Sequence, residues 1–170
     1  MDRKKACFKI NEHGKSLDMK IIETIKLRVF TFLKIPLISY CKPSVISLDK
    51  NHLKIKIPLN RRTKNHINSM YFGALSIGAD LAGGFLALYL IDKYKTKQNI
   101  VFKSATSQFL KRAEGDVYFT CEAGKEIKET MDVAFETKER QQITVKVDAH
   151  CYDYSTTEPI ATFEMELSIK

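Results

Sequence analysis

Hydrophobic residues recur along the chain with two different periods, and the change of period separates helical from extended segments. Ile21, Ile22, Ile25, Val29 and Leu33 recur at helical spacing with Lys and Arg between them, which predicts a helix from about Met19 to Leu33, closed by Pro36. Two short strands follow, Val45–Leu48 and Leu53–Leu59, joined by the turn-forming Asp49-Lys50-Asn51. In the second, Leu53, Ile55, Ile57 and Leu59 alternate with Lys54 and Lys56, so one face is wet, and Pro58 stands near its end. Past residue 95 the period of two dominates. Ile100–Phe109 reads as a more polar strand, whereas Val117 to Ala123, Ile143 to Ala149 and Ala161 to Ile169 alternate apolar and polar positions as half-buried antiparallel strands do. Among these strands, Glu126–Lys138 predicts a short helix with Ile127, Met131 and Ala134 inward.

Tyr71–Ile91 is different in kind: twenty-one residues with four glycines and a single charge, Asp80. By length it could span a bilayer. An antiparallel sheet with one apolar face, however, needs something apolar to cover that face, and this segment alone is large enough. A helix that is apolar all round is a buried one in a soluble protein. The expectation is therefore an α+β fold: an antiparallel sheet of five to six strands wrapped around a long central helix, with an extra N-terminal helix and no membrane span. At 170 residues and 44% apolar content there is material for one core. We expect a single domain, with residues 1–40 as a helical extension and 45–170 as its core.

Charge and cysteine usage narrow the setting. The net charge of +8 is unevenly spread, since residues 1–64 carry 16 Lys+Arg against 5 Asp+Glu and residues 65–170 carry 12 against 15. Such an excess suits nucleic acid, an acidic membrane surface or a polyphosphate ligand. Nucleic acid is the least favoured of these, because the basic residues show no recognition motif and no interleaved aromatics. Cys7, Cys41, Cys121 and Cys151 have neither CxxC nor metal-type spacing and are expected to be reduced thiols. No signal-peptide pattern follows the charged Met-Asp-Arg-Lys-Lys start, so a cytoplasmic location is expected.

The segment entering the central helix runs Asn65-His66-Ile67-Asn68-Ser69-Met70-Tyr71-Phe72-Gly73-Ala74-Leu75-Ser76-Ile77-Gly78-Ala79-Asp80. It resembles the phenylacetate-pathway (PaaI-type) thioesterases of the hotdog-fold superfamily. Their pattern is Asn, two residues, Gly, two residues, His-Gly-Gly, and then an acid seven residues after the second glycine. Asn65, Gly73 and Asp80 match it. Tyr71 stands at the position of the His, Phe72 at the first Gly of the pair, and Asn68 at the earlier Gly, where Asn tolerates left-handed backbone. A closer resemblance is to an uncharacterised branch of the superfamily that shares the run Met-Tyr-Phe-Gly-Ala-Leu. The hotdog fold, a homodimer with adjacent antiparallel central helices, and activity on acyl thioesters are what the resemblance implies.

Thioester hydrolysis needs donors for a developing oxyanion and a carboxylate that attacks the carbonyl or activates water. Unpaired amides at the helix start, near Phe72 and Gly73, are candidate donors, and Asp80 is the candidate carboxylate. Eight residues of helix separate them by about 12 Å, so one chain does not bring both to one carbonyl. Under the resemblance, a homodimer does, and pairing of dimers into tetramers stays open. Asn65 either binds the thioester oxygen or a water, or caps its own turn. Ser69 either caps the helix or touches substrate. Met70 and Tyr71 are candidate substrate contacts, with a core position the alternative for Tyr71. Arg61, Arg62 and Lys64 either form an exposed run or receive the phosphates of coenzyme A. His66 matches no family acid or base and is expected at the surface. Gly78, Gly83 and Gly84 permit close packing or line an acyl channel. The reading is carboxylate-assisted hydrolysis of acyl-CoA or acyl-carrier-protein thioesters, without cofactor or metal. Its alternative is a non-catalytic hotdog module that binds an acyl or lipid ligand.

Overall fold

The computed structural model of the chain describes residues 12–151 and 158–170, with side chains from residue 20 onward. The charged N-terminal run and Cys7 lie outside the described residues. Helix α1 (Glu12–Lys34) and the short α2 (Pro36–Tyr40) precede strands β1 (Ser44–Leu48) and β2 (Leu53–Ile57). The central helix α3 (Phe72–Lys93) follows. Then come β3 (Ile100–Phe109), β4 (Val117–Cys121), helix α4 (Gly124–Thr137), β5 (Gln141–His150) and β6 (Ala161–Ile169).

All six strands join one antiparallel sheet in the order β1-β2-β4-β5-β6-β3. The predicted alternation sets which face is covered. Leu53, Ile55 and Ile57 of β2, Val117, Phe119 and Cys121 of β4, and Val145, Val147 and Ala149 of β5 are all buried, with their polar neighbours turned outward. The β1–β2 turn closes as an Asx turn, in which the Asp49 carboxylate accepts the amides of Asn51 (2.7 Å) and His52 (3.0 Å). Strand β2 stops at Ile57, two residues earlier than the alternation predicts, because Pro58 has no amide for the ladder.

Helix α3 lies across β2, β4 and β5 and supplies Ala74, Leu75, Ala79, Leu81, Ala82, Leu86, Ala87 and Leu90 to the core. The segment long and apolar enough to cross a membrane is thus a core helix. Its glycines are where the sheet comes closest. A Cβ at Gly78 would lie 2.3 Å from the ring of Phe119, and one at Gly83 would lie 3.0 Å from Met165 Cε. They serve close packing of helix on strand within the chain. The helix is not uniform: Leu81–Phe85 forms a π turn directly after Asp80. Helix α4 buries Ile127, Met131 and Ala134, as its spacing predicts, and ends on Lys138 in left-handed conformation (φ 59°).

Helix α1 departs from the pattern of the other elements. It packs on β1 through Leu27 and Thr31, both fully buried, and holds the strand by the Thr24 hydroxyl accepting the Val45 amide (3.0 Å). The apolar residues that predict the helix, Ile21, Ile22, Ile25, Val29 and Leu33, point the other way and are exposed.

Candidate active site

Asn65 to Tyr71 form the turn that delivers the chain into α3. The Asn65 side-chain oxygen accepts the amides of Ile67 (3.0 Å) and Ser69 (3.2 Å), and its amide nitrogen lies 3.2 Å from the Ser69 hydroxyl. Asn68 takes the left-handed conformation (φ 60°) that its place in the motif calls for. The Lys64 ammonium donates to the Asn68 side-chain carbonyl (3.0 Å). Two backbone bonds tie the end of the turn down, Met70 N–H to the Ala113 carbonyl (2.7 Å) and Tyr71 N–H to the Thr63 carbonyl (2.8 Å). Thr63, which sequence reasoning passed over, is buried and anchors the loop further by donating to the Pro58 carbonyl (2.6 Å).

The side chains of Asn65 and Ser69 are therefore engaged with each other and with the turn. Ser69 does not cap α3, because the helix starts later: Tyr71 occupies the cap position in extended conformation (φ −65°, ψ 138°), without a side-chain hydrogen bond. Met70, a candidate substrate contact from sequence, is buried in the core. Ala74 and Leu75 donate back to the Tyr71 carbonyl, whereas the amides of Phe72 and Gly73 have no acceptor among the described residues. Both lie at the positive end of the helix, where an anion is stabilised. The Tyr71 ring lies across Gly73, 2.5 Å from where a Cβ would be, and it touches the exposed Phe72 ring at 4.7 Å between centroids.

Asp80 sits two turns along, half-buried, and its carboxylate makes no hydrogen bond or ion pair among the described residues. Burial without a partner pushes its pKa above the ordinary carboxylate value. A half-buried acid without a partner, next to a π turn, is a candidate functional group on physical grounds. The π turn itself is not predicted from sequence, and the Gly83-Gly84 pair is the only trace of it there.

Strand β3 runs past both halves of the candidate site. Phe109, near its end, packs against Phe72 (6.4 Å between centroids), and the aromatic contact continues from Phe109 to Phe163 (6.0 Å) in the sheet. Near the other end of β3, the Phe102 ring lies 3.2 Å from the place a Cβ would take on Gly84, and Asp80 Oδ1 lies 3.6 Å from that same place. Phe102 and Phe109 thus mark the carboxylate and amide ends of the helix along one strand. Their roles were hidden in a segment that reads only as a polar strand.

The remaining candidates lie in the loop that leads to this turn or within the turn itself. Arg61 and Arg62 are exposed, and the Arg62 guanidinium sits over the Tyr40 ring of α2 at 5.2 Å. With Lys64 turned to Asn68, the three cations do not converge on one point. His66 is exposed. A surface concavity of about 760 Å³ lies on the outer face of the sheet between residues such as His52, Thr120 and His150. It contains none of the candidate residues.

Residues 25–168 match the family model described as a domain of unknown function, DUF4442. The chain belongs to the DUF4442 family. Solved structures agree with the fold of this DUF4442 chain. A Chlorobaculum tepidum protein of unknown function has a TM-score of 0.75 at 20% identity, over 88% of this chain and 95% of that one. A Pseudomonas aeruginosa protein described as a "probable thioesterase" has a TM-score of 0.72 at 22% identity, over 86% and 95%. A Haemophilus influenzae thioesterase has a TM-score of 0.63 at 10% identity, over 85% and 87%. No curated protein matches the chain in sequence. These likenesses show that the DUF4442 chain has the hotdog fold.

Proposed function

We propose that this DUF4442 protein hydrolyses acyl thioesters, acyl-CoA or acyl-carrier-protein esters, at a site shared between two chains of a homodimer. The observation that carries the reading is the position of β3. It is an edge strand of ten residues with one side paired to β6 and the other open among the described residues. An open edge of that length calls for a partner. Antiparallel pairing of β3 with its copy sets the Phe102 end of one strand opposite the Phe109 end of the other. The free amides of Phe72 and Gly73 on one chain then meet Asp80 of its partner, which removes the separation of about 12 Å within one helix.

In this arrangement the amides receive the thioester oxygen as it becomes negative, and the Asp80 carboxylate takes a proton from the attacking water or attacks the carbonyl itself. The thiol leaves as the tetrahedral carbon collapses. Asn65 and Ser69 hold the amides in place by shaping the turn. Arg61, Arg62 and Lys64, just before that turn, are the cations available to the coenzyme A phosphates. The three described cysteines, Cys41, Cys121 and Cys151, are buried free thiols, which supports a reducing, cytoplasmic setting.

One observation favours a second reading, an acyl-binding module without turnover. The Tyr71 and Phe72 rings crowd the amides where the thioesterase motif has His and Gly. A hydrolysis panel of short, long and aromatic acyl-CoA esters, followed by free thiol release, tests both. Turnover of any ester supports the hydrolase; saturable binding without thiol release replaces it with the binding module.

A further inference from the structure

The outward face of α1 and α2 is a run of exposed apolar residues that the proposed site leaves unused. Ile21, Ile25, Val29 and Phe32 follow one another at helical spacing on the side of α1 opposite Leu27 and Thr31, with Ile22 and Leu33 beside them. All are about half exposed or more, Phe32 and Leu33 at 69% and 68%, and Leu37 of α2 extends the patch at 66%. Together they expose several hundred Å², roughly the size at which a patch on a soluble protein marks an interaction surface. A helix amphipathic in this sense is turned inside out, since its apolar stripe faces away from the core.

Cations surround the patch. Residues 20–42 contain Lys20, Lys26, Arg28, Lys34 and Lys42 against the single acid Glu23. Glu23 is half-buried and paired with Lys26 at 2.8 Å. Beside Phe32, an open groove of about 390 Å³ between α1 and α2 is walled by Pro36 and Tyr40 and holds Arg28, Lys42 and Arg62, with no carboxylate in its lining. The Arg28 guanidinium is fixed there by donating to the Pro43 carbonyl and the Ser44 hydroxyl, both at 2.9 Å.

We infer that this face docks on the surface of an anionic lipid bilayer. An apolar stripe flanked by Lys and Arg is what an interfacial helix requires: the stripe enters the boundary between headgroups and acyl chains while the cations meet lipid phosphates. A second copy of the chain fits less well, because a symmetric contact through this face would set Arg28, Lys34 and Lys42 against the same cations of the other copy. Nucleic acid fits less well again, because the centre of the face is apolar and mostly aliphatic, with Phe32 its one ring. The surface belongs to the β1 edge, at the opposite end of the sheet from β3, so the docking does not depend on the dimer; only Arg62 is shared with the proposed coenzyme A contacts, and no variant in the test alters it.

The test is co-sedimentation of the full chain with vesicles of equimolar phosphatidylcholine and phosphatidylglycerol, beside vesicles of phosphatidylcholine alone. Binding is expected to the anionic vesicles, with weakening as salt rises. Phe32→Ser with Leu33→Ser and Leu37→Ser, three exposed positions, should lower partitioning at least about tenfold. Lys34→Gln with Lys42→Asn should lower it roughly fivefold per charge, Asn being chosen because Lys42 is left-handed (φ 52°). Circular dichroism confirms that each variant is folded. Absence of binding to anionic vesicles, equal binding to neutral ones, or undiminished binding by the folded serine variant overturns the inference. So does self-association that the serine variant abolishes while vesicles bind nothing, since a second copy would then cover the face.

Discussion

Replacing Asp80 by Asn separates charge from shape at the centre of the proposed site. The amide has nearly the size of the carboxyl group, and the carboxylate has no hydrogen-bond donor among the described residues to leave orphaned. What is lost is the negative charge. As a general base, that charge is worth at least about a hundredfold in rate. Stability should respond in the opposite direction. Burial raises the Asp80 pKa, so the folded chain holds the proton more tightly than the unfolded chain. Stability therefore falls as pH rises from the unfolded-chain value to the raised native one, and stays lower above it. A neutral amide carries no such penalty, so at neutral pH the Asp80→Asn variant should melt at the same temperature as the wild type or higher. Activity has the matching profile: kcat/KM should fall as pH drops through the raised pKa, at higher pH than an ordinary carboxylate would give. Acyl-CoA hydrolysis and thermal melting are measured on one preparation of Asp80→Asn. Retained turnover with a stability loss of about 1–3 kcal/mol would show instead an acid kept for buried hydrogen bonds, and the catalytic assignment would fall.

The dimer should appear in light scattering at micromolar concentration, and β3 offers a directional check. Adjacent residues of a strand point their amides to opposite sides, so of Ala105→Pro and Thr106→Pro one should disrupt the ladder to β6 while the other should leave a folded monomer; a wild-type monomer refutes the shared site. Arg61→Ala with Arg62→Ala should raise KM for coenzyme A esters at low salt and matter less at high salt, because exposed phosphate contacts are screened. An equal effect at every ionic strength would assign these residues another role. Gly78→Ala places a methyl 2.3 Å from the fully buried Phe119 ring, and urea denaturation should show a loss of about 1–3 kcal/mol with unchanged slope. A neutral substitution would mean that the helix shifts on the sheet.

The hotdog layout was legible in the sequence because each strand of the core is half-buried, and a half-buried strand must alternate. Leu53, Ile55 and Ile57, and the run from Ala161 to Ile169, state their inward face residue by residue. The central helix was legible because a long apolar stretch with one acid has few places to go. Asn68 shows the same directness, since a left-handed turn leaves few residue types. What depends on groups distant in sequence could not be read in this way. That Phe102 and Phe109 bracket Asp80 and Phe72 follows from contacts made only when β3 lies beside α3; Thr63 and Ser69 are fixed by bonds within their own loop, whose turn geometry periodicity does not report. The π turn after Asp80 lies against β2, β4 and β5, with no local periodicity to announce it. Helix α1 shows the limit most plainly. Periodicity establishes that Ile21, Ile25, Val29 and Leu33 share one face, because 3.6 residues per turn places them there. Only the tertiary structure decides that this face turns away from the core, because the covalent pattern of one helix does not say which side of it another element will cover.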